Sequence, residues 1–469
     1  MTPSRRDFLR TTACALGGLA LASSVESFQA VSALTPQASP DYRALVCVFM
    51  NGGNDGNNMV VSLDQYPAYS AARGAAGLAI PQASLLPVSP ANGGSYGFHP
   101  SMTEMQSLFN QGRLAVLCNS GTLVEPLTRA AYQSGAGKRP LQLFSHSDQV
   151  ALFQTAIADS VSQTGWGGRV ADRTVGLNGA ATFPQNVSIA GINLFLTGGN
   201  TRQLAIADSN TTLANVLPLT MTGSTGEVNS RLASFNELRT LDNGHKLVKA
   251  ASDTRSSAMQ TRVALASVGN PTFATTFPNT TLGRQLQQIA RLIALRDTLG
   301  IKRQIFFAQL GGFDTHSGQR AVVNNQPGGQ DGLLLQVSQA MNALYAATVE
   351  MGIQNNVTTF TLSDFSRTLN PAGSGQNQVG SDHAWGNHHL ILGGAVRGGS
   401  FYGTYPTLAA GGPDDTDGGS TPRGRWIPTT SVEQYAATLA SWYGLSQSDF
   451  PAVFPLLDRF PTANMGFMS

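Results

Sequence analysis

The chain has little cysteine, few charges and no long apolar run. Three cysteines in 469 residues, with no C-x-x-C pair among them, exclude a disulfide-stapled scaffold and a cysteine-based zinc module. Cys47 and Cys118 each fall inside an apolar, strand-like run, the setting of buried packing residues. Charged residues make up 12% of the chain, about half of the ~25% usual for soluble proteins. The 29 basic and 27 acidic side chains nearly cancel. No Lys/Arg stripe is available to displace counterions from phosphates, so nucleic acid is not an expected partner. No apolar run reaches the ~20 residues of a membrane span. Neither G-x-x-x-x-G-K-[ST] nor H-E-x-x-H occurs, which removes the P-loop and the helical zinc-protease motif. What is present is 41% hydrophobic residues, enough for a sizeable core, and 51 glycines among many Ser, Thr, Asn and Gln.

The N-terminus reads as an address label. Ser4-Arg5-Arg6-Asp7-Phe8-Leu9-Arg10 precedes a mild apolar run from Ala13 to Ala22 and a small-residue site, Val31-Ser32-Ala33. That order is an export signal, later removed. The paired arginines resemble a twin-arginine signal, which implies the twin-arginine export machinery as a partner and a periplasmic or secreted mature chain. The expected division is a signal peptide over 1–33 and a single α/β domain over 40–469.

Strands and helices alternate along that domain. Arg43–Met50 is a continuous apolar run, as expected of a strand covered on both faces. Arg113–Cys118, Gln304–Leu310, Val357–Leu362 and His389–Leu392 repeat the pattern. Between them, Leu282, Leu286, Ile289 and Ile293 form one helical stripe and Leu334, Val337, Met341 and Leu344 another; a third helix is expected over Val432–Tyr443. This predicts an α/β/α sandwich with a mostly parallel central sheet. Residues 197–280, rich in Thr, Asn and Ser, read as a polar insertion or cap, and Gly411–Gly424 as a surface loop.

In open α/β sheets ligands bind beyond the carboxyl ends of strands, and unusual polar residues cluster there. The first strand runs into Asn51-Gly52-Gly53-Asn54-Asp55, whose glycines can turn sharply and point backbone N–H groups into an anion-binding nest, or simply turn the chain. Later ends carry Asp314 with His316, Ser363-Asp364 with Arg367, and Asp382-His383 followed by His388 and His389. Seven histidines serve the whole chain, and three of them fall between His383 and His389. Imidazole and carboxylate together form sites for zinc, manganese or iron. Asp314 and His316, two apart in an extended segment, point the same way and can reach one ion.

With these segments the chain resembles the bacterial exported family called domain of unknown function 1501. The matching stretches are Phe49–Val61, Phe144–Gln149, Gly165–Arg169, Gly311–Gln319, Thr361–Thr368 and Ser381–Gly399. That family is itself similar to the alkaline phosphatase and sulfatase superfamily, an α/β/α sandwich with one or two divalent metals at its strand ends. The resemblance implies metal ligands at Asn51 (where the superfamily has Asp) or Asp55, at Asp314 and His316, at Asp364, and at His383, with Asp382, His388 and His389 as extra candidates. It also implies a nucleophile at a helix start, matched by Ser145 or Ser147, with His146 as base or ligand. C-x-P-x-R is absent, which disfavours a formylglycine sulfatase.

The expected chemistry is hydrolysis of a small anionic ester, phosphate or sulfate, with one or two divalent ions polarising an ester oxygen. Arg169 or Arg367 would hold the anion, and Trp166 and Trp385 are candidate pocket walls. A non-catalytic extracytoplasmic protein that uses the same fold for binding or envelope assembly is the alternative from another class, and a metal-free serine hydrolase a third.

Overall fold

The computed structural model describes residues 42–217, 223–240, 244–375 and 377–469; the expected export signal lies outside them. Among the described residues nine strands form the central sheet: β1 Arg43–Met50, β2 Leu114–Gly121, β3 Asn186–Ser188, β4 Gln203–Ala205, β5 Arg303–Leu310, β6 Val357–Ser363, β7 Asn387–Gly393, β8 Phe401–Gly403 and β9 Thr430–Ser431. Their order is β8-β2-β7-β6-β1-β5-β3-β4, with β9 pairing β2. All run parallel except β7, which is antiparallel to both β6 and β2.

The helices used below are α1 Thr103–Asn110, α2 His146–Thr155, α3 Trp166–Thr174, α4 Thr225–Thr240, α5 Lys246–Ala266, α6 Thr281–Ala294, α7 Gly329–Glu350 and α8 Val432–Tyr443. Strand β1 shows why they form two layers. Alternate side chains point to opposite faces: Ala44, Val46, Val48 and Met50 pack with apolar residues of α1, α6 and α7. Leu45, Cys47 and Phe49 pack with those of α2, α3 and α8. A strand buried on both sides needs no polar alternation, and the unbroken apolar run of β1 is that signature. The protein is thus a mixed α/β sandwich around a large, mostly parallel sheet. Cys47 and Cys118 are buried and unbonded, and Trp166 and Trp385 are fully buried rather than lining an opening.

Parts of the stretch 197–280 join the sheet and the core. Its strand β4 completes one sheet edge, and Leu213, Val216 and Leu265 join the main core. The helices α4 and α5 stand largely outside that core, with Leu238 and Leu247 exposed. Among the described residues no helix is long and apolar enough to cross a membrane.

Candidate metal centre

Strands β1, β5 and β6 are parallel neighbours, so the segments that follow them emerge at one edge. Because β7 runs the other way, the residues that precede it arrive at that same edge. The 51–55 turn, Asp314, Asp364 and His383 therefore come together, and β2 delivers the segment leading to His146 to the same end.

The turn after β1 is shaped by Gly52 and Gly53, both at positive φ. A Cβ on Gly52 would lie 2.4 Å from the backbone nitrogen of Asp314, and one on Gly53 would lie 2.5 Å from the Phe365 ring. Glycine is needed for the loops to approach this closely. The N–H groups of Gly52 and Gly53 do converge on a carboxylate, but it is the protein's own: they donate to Asp364 at 2.9–3.1 Å. Arg367, fully buried, laces the loops together by donating to the carbonyls of Gly52, Gly53, Phe313 and Ser381 and to Asp314.

Three imidazoles surround Asp314. His146, the first residue of α2, directs Nδ1 at Asp364 Oδ2, 2.7 Å away. His316 directs Nδ1 at Asp382 Oδ1 at 2.9 Å, and His383 directs Nδ1 at the Phe144 carbonyl at 2.7 Å. A carbonyl or carboxylate oxygen can only accept, so each Nδ1 carries a proton and each ring turns its Nε2 the other way. Those Nε2 atoms lie 3.3, 3.1 and 3.6 Å from Asp314 Oδ1 for His146, His316 and His383 respectively. The Nε2 atoms of His316 and His383 are 3.0 Å apart. Ligand atoms of His146, Asp314 and His383 all lie within 4.8 Å of one another. The Nε2 of His146 is buried and makes no hydrogen bond.

Electrostatics prepare these groups for a cation. Burial pushes the Asp314 carboxyl up, but Arg367, His146 and His316 prevail and hold it down at about 2. The hydrogen bond to Asp364 raises His146 above its ordinary value, while burial lowers His383 and keeps it neutral. Asp382 is raised by burial, yet His316 and Arg423 bring it below the usual carboxylate range.

Other expected site residues lie elsewhere or are already engaged. Asp55 is buried and bound by Arg73 at 2.5 and 3.1 Å and by Gln319 at 2.5 Å, so it anchors structure and does not face the imidazoles. Asn51 links β1 to β5 through its backbone, to Leu310 and Phe313, and brings no charge. Asp364 and Asp382 orient histidines instead of presenting free oxygens: both Asp364 oxygens are taken by Gly52, Gly53 and His146, and those of Asp382 by His316 and Arg423.

His388 and His389 point to opposite faces of β7. His388 accepts from the Asn119 N–H and stacks on Tyr405, and burial pushes it down to about 4. His389 stacks on Tyr435 in the core, pushed down to about 3 by burial. Arg169 is spent on the carbonyls of Val453, Thr164 and Thr155, and Arg367 has its donors committed as described, so neither is free for an anion. Ser145, the residue before α2, and exposed Ser147 both donate to Asp148, at 2.6 and 3.3 Å. Sequence reading passed over Arg423 and Arg425, whose only signal was their place in a Gly/Asp-rich loop that looked like plain surface.

The profile of the family described as "Protein of unknown function (DUF1501)" matches residues 42–415. The chain belongs to that family. No curated protein matches it. Among solved structures, this DUF1501 member is similar to the PsFucS1 sulfatase from Pseudoalteromonas sp., at 10% identity over 91% of this chain and 70% of that one, TM-score 0.30. It is also similar to a 2-O GAG sulfatase at 9% identity over 88% and 74%, TM-score 0.34. The phosphonate monoester hydrolase of Agrobacterium radiobacter is similar at 8% identity over 86% and 74%, TM-score 0.29.

Proposed function

We propose that this protein is an exported metal-dependent hydrolase of phosphate, sulfate or related esters, holding one divalent ion between His146, Asp314 and His383 with His316 as a fourth donor. The observation that carries the reading is the convergence of three imidazole Nε2 lone pairs on one Asp314 oxygen, each ring locked by an acceptor at Nδ1. Neutral imidazoles whose nitrogens lie 3.0 Å apart repel unless a cation or a proton sits between them. Around a tetrahedral zinc with bonds of ~2.0–2.2 Å, donors are roughly 3.3–3.6 Å apart, and the spacings to Asp314 are 3.1–3.6 Å. Histidines backed by carboxylates are the usual outer arrangement of such centres, and the unpartnered Nε2 of His146 fits the same role.

The donor set favours zinc over the hard, all-oxygen ions. Asp364 and the glycine turn satisfy each other, which supports one ion rather than two. Such an ion would supply Lewis-acid polarisation of an ester oxygen. The residues themselves hold the charge: Arg367 keeps Asp314 ionised, and Asp364 and Asp382 keep two of the rings aimed. A catalytic centre needs a position for substrate, and His316, with 47% of its side chain exposed, is the donor best placed to yield it. The twin-arginine-like N-terminus supports export of the folded chain to the periplasm or beyond.

The test is elemental analysis of protein purified without added metal and then given zinc, followed by a panel of phosphomonoesters, phosphodiesters and sulfate esters. One ion per chain is expected, lost in folded His146→Ala and His383→Ala, weakened in His316→Ala, with ester cleavage following occupancy. Metal-free wild type after zinc addition, or variants that bind as well as wild type, overturns the reading.

A further inference from the structure

We propose that Arg423 and Arg425, on the loop that contacts Asp382 and the His383 carbonyl, bind the tetrahedral oxyanion of the substrate; this rests on the metal-centre reading above. Arg169 and Arg367 have no donors to offer, so an anion at the cluster needs other partners. Arg423 reaches Asp382 Oδ2 at 2.5 Å through Nη2 and leaves Nε and Nη1 without a protein partner. Arg425 donates Nε to the His383 carbonyl at 3.0 Å and Nη1 to Asp417 at 3.0 Å, leaving Nη2 free. Its guanidinium lies 4.9 Å from the centre of the Phe144 ring, whose residue also supplies the carbonyl that orients His383. Each arginine therefore contacts a residue that belongs to, or aims, an imidazole of the cluster. Both remain partly open, with 32% and 25% of their side chains exposed.

The loop that carries them is built to hold a position. Asp415 is fully buried and accepts from the N–H groups of Gly411, Asp417, Gly424 and Arg425 at 2.8–3.0 Å. Arg423 N–H is fixed on Asp417 at 2.9 Å. A loop pinned by a buried carboxylate presents its two guanidinium groups without ordering them at the moment of binding, which favours affinity. Planar guanidinium forks match phosphate or sulfate oxygens in a way a point charge does not.

Inorganic phosphate, sulfate and acetate are titrated calorimetrically into zinc-treated wild type, Arg423→Gln and Arg425→Lys, with zinc per chain and melting temperature measured on the same samples. Phosphate and sulfate should bind wild type more tightly than acetate, and each substitution should weaken phosphate about tenfold at unchanged zinc content. Phosphate affinity within twofold of wild type in both variants overturns the proposal. Loss of zinc together with phosphate in Arg423→Gln shows that Arg423 acts through Asp382 and His316, and overturns its assignment as an anion ligand. Should wild type hold no zinc, the metal reading fails by itself, and the phosphate comparison among the three proteins still decides for or against the arginines.

Discussion

Asp55 stands five residues beyond the last residue of β1, where a metal ligand is expected, yet Arg73 claims it. Both side chains are fully buried, and the pair is completed by Gln319 and the Asn57 N–H. Breaking a buried pair strands the surviving charge, at a cost of roughly 3–5 kcal/mol. Asp55→Ala should therefore lower stability by about that much in denaturant titration while the surviving folded protein keeps its zinc stoichiometry; loss of zinc at unchanged stability would make Asp55 a ligand after all. Glu433 offers a second test at this scale. Burial pushes its carboxyl from 4.5 up to about 8, against the pull of a Leu456 N–H and of Arg169. The folded state then holds a proton that the unfolded chain has released between those values. Its contribution is complete below about pH 4.5 and lost as pH rises through about 8. Asp314, held down at about 2, acts only in more acid solution, so the two windows do not overlap. Above about pH 6.5, beyond the range in which His388 and His389, held down at about 4 and 3, add stability as pH rises, unfolding free energy should fall toward pH 8 by about 2 kcal/mol, and Glu433→Gln should flatten that slope.

Among elements, the turn after β1 and the reversed strand β7 decide where the proposed ligands go. Gly52→Ala would force a Cβ to within 2.4 Å of the Asp314 backbone at φ +115, where an L residue is already strained by about 1–3 kcal/mol. That variant should melt several degrees lower and bind zinc more weakly, whereas alanine at Gly112, also at positive φ but with open space around its Cβ, should cost stability alone. The strands themselves were legible because burial on both faces leaves unbroken apolar runs: β1, β5 and β6 end within a residue or two of their expected limits. The direction of β7 was not. In a parallel strand, Asp382 and His383 would precede the strand at the far edge of the sheet, away from Asp314. An antiparallel β7 brings them back to the near edge, and nothing in Asn387–Gly393 encodes that, since direction follows from the returning 364–386 connection and its bridge between Arg367 and His383. For the same reason, the distinction between the carboxylate that faces the imidazole Nε2 atoms and those that orient rings stayed hidden. Asp314, Asp364 and Asp382 look alike in the sequence, and only the positions of their oxygens separate them.

At the scale of the whole molecule, the proposed ion would join three chain segments that the sheet alone holds apart: the start of α2, the loop after β5 and the loop before β7. Such a ligand favours the native state by mass action, by about 2.7 kcal/mol at a hundredfold excess over its dissociation constant. Because the unfolded chain scatters His146, Asp314 and His383 over more than two hundred residues, it has little affinity of its own to offset that gain. Thermal unfolding should therefore shift upward by several degrees on adding zinc and downward with a chelator, with the shift growing logarithmically in free zinc. The shift should vanish in His383→Ala, which loses a donor, and persist in Arg425→Lys, which leaves all four in place. The helix α4 supplies an internal control, since none of its residues joins the sandwich core: exchange-protected amides in β1, β5 and β6 should gain protection with zinc while those of α4 stay unchanged. Uniform stabilisation of every element, α4 included, would mean that zinc binds somewhere other than the strand ends.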